Sequence, residues 1–271
     1  MTRRHTGSEI SYRLVVGLLA TVAVIILVSP ILVVLITSFT TAPSLKFPPP
    51  GFSLTWYEAL FDPVRSRHIH VAAGNTLSVG IGATLIVTIL GVAAAAGLAG
   101  KRGSWARVLE NGFLGPLILP TLAYGFAALM FFSLLGFRAS LPLLVIGHAV
   151  VIAPFVFRTT LASLSQIDPA LLESSASLGA GRFTTFRRVT LPLIAPGIAA
   201  GAFLSFIASI DNVPVSLFLS NARTDMLPIR MWGMMESTLD VRVAAASGVL
   251  ISCVIVLVVA MERLVGLSKR M

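Results

Sequence analysis

The sequence predicts an all-α membrane protein with six transmembrane helices. Three observations carry that expectation. Hydrophobic residues make up 56% of the 271 residues and charged residues only 11%, where a soluble domain carries about a quarter charged. Mean hydropathy is +0.93, so lipid rather than water is the solvent for most side chains. Six separate apolar runs are each long enough to cross a bilayer.

The runs are 14–36, 76–98, 112–135, 141–157, 195–217 and 243–261. In hydrocarbon every N–H and C=O must be paired within its own segment, so each run is expected as a helix. No alternating pattern of a β-barrel is present. The first run is read as a retained anchor, because it exceeds the core of a cleaved signal and no small-x-small cleavage site follows. Ser29-Pro30 is expected to bend it. The fourth run is the shortest. Residues 1–271 are taken as a single transmembrane domain, with a polar loop at 166–190 inside it.

Orientation follows from the basic residues. With the N-terminus in the cytoplasm, the inner segments hold Arg3, Arg4, Arg13, Lys101, Arg102, Arg107, Arg158, Arg182, Arg187, Arg188, Arg263, Lys269 and Arg270. The outer segments hold Lys46, Arg65, Arg67, Arg138, Arg223, Arg230 and Arg242. The inner excess places both termini in the cytoplasm. The net charge of +9 is therefore read as loop-holding charge, with the bilayer and not nucleic acid as the partner. The lone cysteine, Cys253, excludes a disulfide framework and a thiolate metal cluster.

The outer segment 37–75 opens at Pro48-Pro49-Pro50-Gly51 and then reads as a short helix over 53–61, with Trp56, Tyr57 and Phe61 at the interface. Residues 218–242 form a second outer loop. Both fit docking of a soluble partner, and both fit plain connectors. His68 and His70 lie in the first of these loops, and two ligands do not close a metal site. Met231, Met234 and Met235 read as adaptable packing, and His148 in the fourth run as a satisfied packing group.

The polar loop carries the sharpest pattern. Asp168-Pro169 is a helix start. Leu171, Leu172, Ser175 and Leu178 share one face, Glu173, Ser174 and Ser177 face elsewhere, and Gly179 stands where a left-handed terminal residue is wanted. An amphipathic helix resting on the bilayer is one reading of this segment. The spacing Glu173-Ser174-Ser175, three residues, Gly179, nine residues, Val189-Thr190-Leu191-Pro192 supports another. It resembles the EAA loop of ABC importer permeases, whose pattern is E-A-A, three residues, G, nine residues, I-x-L-P. Serines replace both alanines here, and valine replaces isoleucine. Ser205-Phe206, the run Asp211 to Leu219, Leu227-Pro228, Trp56-Tyr57, and His148 with Pro154-Phe155 extend the likeness to the spermidine/putrescine-type subfamily.

That resemblance implies a multi-pass subunit of a bacterial inner membrane, paired with a second homologous permease, two ATPase subunits and a periplasmic or surface substrate-binding protein. Leu171, Leu172, Glu173, Ser174, Ser175, Leu178 and Gly179 would then form the helix seated on the ATPase. ATP and Mg would be held by that separate chain, since no G-x-x-x-x-G-K-[ST] phosphate loop occurs here. No catalytic residue and no metal site is expected, and no cofactor is bound by this chain.

Asp211 is the one acidic residue inside a predicted span. A charge near the bilayer centre costs about 2.5 to 3.5 kcal/mol. Pro214 leaves the Ile210 carbonyl without its helical donor, which predicts a kink. Ser205, Ser209, Asn212 and Ser216 form a polar stripe beside it, and Asp211 lies about 100° round from Asn212 in a regular helix. Asp211, Asn212, Ser209 and Ser205 are candidates for a pathway or gate for a small cationic or amine solute. The alternative is that the carboxylate pairs with a neighbouring helix and the stripe glues helices together. A membrane enzyme lacks a converging set of groups. A secondary transporter, ion- or proton-coupled, and an ABC permease for another organic solute remain as rival functions.

Overall fold

The computed structural model describes residues 7–101 and 103–265; Arg3, Arg4, Arg102, Lys269 and Arg270, counted above for orientation, lie outside the described residues. Twelve α-helices are found among the described residues. Five are long and apolar enough to cross a membrane: Tyr12–Thr37, Arg67–Leu98, Leu141–Ser165, Arg182–Ile210 and Arg242–Arg263. A bent helix pair, Ser104–Leu117 with Thr121–Leu134, makes a sixth candidate. The chain divides into two compact units, one running to Arg67 and adding Met234–Ile255, the other His68–Gly233 with the chain from Val256 onward.

In the first unit, α1 (Gly7–Thr37) runs on through Pro30. Residues 12–33 are exposed along it, so that stretch offers its side chains to its surroundings. The helix ends at Thr37, and α2 (Thr55–Phe61) follows after a loop. Trp56 and Tyr57 do more than sit at an interface. Trp56 Nε1 donates to the Ala42 carbonyl at 3.1 Å. Ser38 Oγ spends its proton on the Leu35 carbonyl at 2.6 Å, so the Tyr57 hydroxyl, 2.8 Å away, donates to it. Only Phe61 of the three is exposed. Arg242 closes the loop by a bidentate pair with Asp240, one N–O distance being 2.6 Å, and by donating to the Arg65 carbonyl at 2.7 Å.

In the second unit, α3 (Arg67–Leu98) starts nine residues before the apolar run does, so His68 and His70 sit in its first turn and not in a loop. The third span departs from expectation. Residues 112–135 do not form one helix. α4 (Ser104–Leu114) passes through a 3₁₀ turn (Gly115–Leu117) into α5 (Thr121–Leu134), with a bend of 103°. Pro116 and Pro120 flank the bend: each lacks an N–H, so neither can return a helical hydrogen bond to the turn before it.

The fourth helix, α6, runs Leu141–Ser165, past the Phe157 boundary read from hydropathy. Arg158 ends the apolar run but sits exposed on the helix face, so the backbone ladder continues beneath it. α7 (Pro169–Ser177) and α8 (Arg182–Thr185) follow, and a π-turn (Phe186–Thr190) feeds α9 (Leu191–Ile210). α10 (Val213–Leu219), α11 (Leu227–Thr238) and α12 (Arg242–Val265) complete the chain.

The core of this unit is built on α6. Phe157, Ile152 and Leu144 are fully buried along it. Ala83 and Val87 of α3 pack with Ala149, Ile152 and Val156. Val215 and Leu219 of α10 join Val79, Ala128 and Leu144. α9 lies against α6 where Gly197 and Gly201, four residues apart, face Ser163 and Thr159. A Cβ at Gly201 would fall on Thr159 Oγ1 and 2.8 Å from the Val156 Cα. Small residues are what let helices in lipid come close enough for dispersion to hold them. Gly201→Leu is therefore expected to cost about 3 kcal/mol or more, read as loss of monodisperse protein on heating in detergent. Gly17→Leu, on open α1 backbone, is the control that stays near wild type.

Candidate functional site

Two places stand out: the α7 projection and the interrupted fifth span. At α7 the local sequence makes both ends. The Asp168 carboxylate accepts from the Ala170 N–H at 2.9 Å, and Pro169 takes the first helical position. At the other end Gly179 adopts φ +81. Its N–H reaches the Ala176 carbonyl at 2.9 Å, and the Ala180 N–H reaches Ser175 at 3.1 Å. This is the paired closure of a Schellman motif, which needs a left-handed residue at that position. Ser175 Oγ lies 2.9 Å from Thr185 Oγ1 and ties α7 to α8. Ser174 Oγ donates back to the Ala170 carbonyl.

What α7 lacks is a covering. It has no buried residue. Leu171 and Leu172 are exposed, Leu178 is 88% exposed, and Phe183 beyond it is 74% exposed. Glu173 is exposed beside them. A short helix with fixed ends and bare leucines is a rigid apolar knob. Pro192 explains its link to α9. It has no N–H to return to Arg188, the preceding turn widens, and the Leu191 N–H bonds to Phe186 instead.

The fifth span, expected as one helix over 195–217, is two. α9 ends at Ile210, and Asp211 caps it through its N–H to the Ile207 carbonyl. The chain turns at Asn212, whose Oδ1 accepts from the Val215 N–H at 3.1 Å and starts α10. Pro214 falls in the first turn of α10, where its missing N–H is no loss.

The break separates the candidate residues. Ser205, Ser209, Asn212 and Ser216 are buried, and Asp211 is exposed. Ser205 Oγ donates to the Ile152 carbonyl of α6 at 3.2 Å. Ser209 Oγ lies 2.9 Å from His148 Nδ1, and Ser216 Oγ lies 3.1 Å from His148 Nε2. The serines thus face α6, and among the described residues the Asp211 carboxylate has neither hydrogen bond nor ion pair. Sequence had marked His148 as a satisfied group. Its partners were legible only as two serines seven residues apart, a spacing that puts both on one side of a helix.

An apolar helical body, a short helix with bare leucines and an interrupted span with an exposed carboxylate fit a membrane transport subunit. The chain belongs to the family described as "Binding-protein-dependent transport system inner membrane component", which matches residues 87–270. It is 28% identical over 233 residues to the spermidine/putrescine transport system permease protein PotC of Escherichia coli K12, covering 86% of this chain and 87% of that one. It is 28% identical over 241 residues to the putrescine transport system permease protein PotI of the same organism, covering 84% and 82%.

Among solved structures, a bacterial ABC transporter that imports the acidic polysaccharide alginate superposes with a TM-score of 0.74 at 18% identity, over 95% of this chain and 96% of that one. The alginate transporter in complex with its pentasaccharide-bound periplasmic protein gives 0.70 at 17% identity, over 94% of each. These likenesses establish the importer-permease fold. Removing the Asp168 cap by Asp168→Ala is expected to cost α7 about 1 kcal/mol, seen as faster amide hydrogen exchange at residues 170–174 while α6 is unchanged.

Proposed function

We propose that this chain is one of two homologous permease subunits of an ATP-driven importer for a small cationic amine. The observation that carries it is α7: a helix capped at both ends, with Leu171, Leu172 and Leu178 uncovered. Apolar side chains held bare on a rigid element mark a docking surface for another protein. A groove on an ATPase subunit fits it, with Glu173 at the rim, Ser174 and Ser175 fastening the helix, and Gly179 making the turn. ATP and Mg belong to that partner, present in two copies.

In this reading both termini and α7 face the cytoplasm, as the basic residues favour, and a binding protein delivers solute on the opposite side. Closure of the ATPases moves α7. The movement passes through the Ser175–Thr185 contact and the π-turn into α9, and from there to the break at Asp211. Alternating access is then a shift between two arrangements, each favoured by one nucleotide state. Glu173→Lys and Gly179→Asp are expected to leave the subunit in the membrane and to abolish stimulation of ATP hydrolysis by loaded binding protein. Full stimulation in either variant would remove the assignment, as would labelling of a cysteine at Ser174 from the outer side.

The cationic solute rests on Asp211 and on the polyamine named in the relatives' descriptions. An exposed carboxylate with no partner among the described residues favours a cation arriving from elsewhere. The backbone helps: the C-terminal end of α9, with its partial negative charge, points at the same place. Ser205, Ser209 and Asn212 are buried and act in this reading through the backbone, fastening the helix ends that carry Asp211. Asp211→Asn is expected to raise the half-saturating concentration of labelled putrescine in uptake by about tenfold. Unchanged uptake rejects a direct role.

A further inference from the structure

We propose that His148 is a positioning residue that holds the two halves of the fifth span, α9 and α10, at a fixed angle and so fixes where Asp211 stands. The proposal rests on the reading of Asp211 as the pathway carboxylate.

One proton fixes the direction of each bond. Ser216 Oγ donates to the Asn212 carbonyl at 2.7 Å. A hydroxyl has a single proton, so towards His148 Nε2, 3.1 Å away, the Ser216 oxygen acts as an acceptor. Nε2 therefore carries the hydrogen. In the neutral imidazole the other nitrogen, Nδ1, is the acceptor, and Ser209 Oγ, 2.9 Å off, donates to it. A directed chain results: Ser209 to His148, His148 to Ser216, Ser216 to Asn212.

This chain crosses the interruption. Ser209 is in the last turn of α9 and Ser216 in the first turns of α10. Between them lie Ile210, Asp211 and Asn212, where the helical ladder stops. His148 itself is fully buried in α6, among the side chains that make the core of the unit. One ring on a rigid helix thus grips both sides of a gap that the backbone alone leaves free to bend. Asn212 is committed to capping α10, which leaves Asp211 as the residue whose place the grip determines. Ser205 bonds α6 only from the α9 side and cannot set the angle.

The test uses the assembled importer in lipid, with Cys253→Ala and spin labels at Leu204→Cys and Leu217→Cys, both exposed and on opposite sides of the break. A single narrow distance distribution is expected. His148→Leu is expected to broaden it and to raise the half-saturating putrescine concentration by about tenfold. His148→Gln, whose amide N–H can replace Nε2–H towards Ser216, is expected to restore the narrow distribution. Ile152→Val, which loosens α6 one turn away without touching the chain, is expected to behave as the parent.

Should His148→Leu fail to assemble, Ser216→Ala removes the α10-side grip alone and takes its place. A parental distribution in the grip-breaking variant overturns the proposal. So does equal broadening in Ile152→Val, or broadening with parental half-saturation. Failure of the Asp211 reading is separate: it shows as parental uptake in Asp211→Asn, and the distances still decide the grip.

Discussion

Lipid offers a peptide group no hydrogen bond, and this constraint governs how the interrupted helices are built. A helix that stops within the bilayer leaves N–H and C=O groups that must be met from inside the protein. The fifth span stops at Asp211 and is mended at once by Asn212, which caps α10 with its side chain. The bent pair α4–α5 turns through 103° at prolines, residues that bring no N–H to be mended. Where Pro192 removes a donor, a π-turn reroutes the Leu191 N–H. A polar side chain thus supports the break beside Pro214, and a wider turn the one before Pro192.

Once the backbone is satisfied, packing must hold the helices without a hydrophobic drive between them, since lipid is as apolar as leucine. The α6–α9 contact answers with glycines 197 and 201 against Ser163 and Thr159. Close approach there brings Ser205, Ser209 and Ser216 within reach of α6. The polar stripe thus fastens helices, and the Asp211 carboxylate next to it is left exposed. The same economy holds at α7, where capping and the Schellman closure fix the helix so firmly that its leucines need no core behind them. Rigid local structure with unmet chemistry at its surface is the common feature of both sites.

The sequence by itself determined the class, and for a clear reason. Hydropathy is a sum over about 20 residues and does not depend on neighbours in space, so all six apolar runs reappear in helices. Capping is equally local: Asp168, Pro169 and Gly179 act within a turn of themselves, and α7 begins and ends where they stand. The bent third span, the earlier start of α3 and the split at Asp211 were less legible. Proline signals a break but not its angle, which depends on what packs beside it. Only the tertiary structure decided that Ser209 and Ser216 share one histidine, that Trp56 and Tyr57 fasten a loop, and that Asp211 is left bare. Those facts depend on which helix lies against which, and a hydroxyl's spacing along the chain carries no record of the ring it will meet.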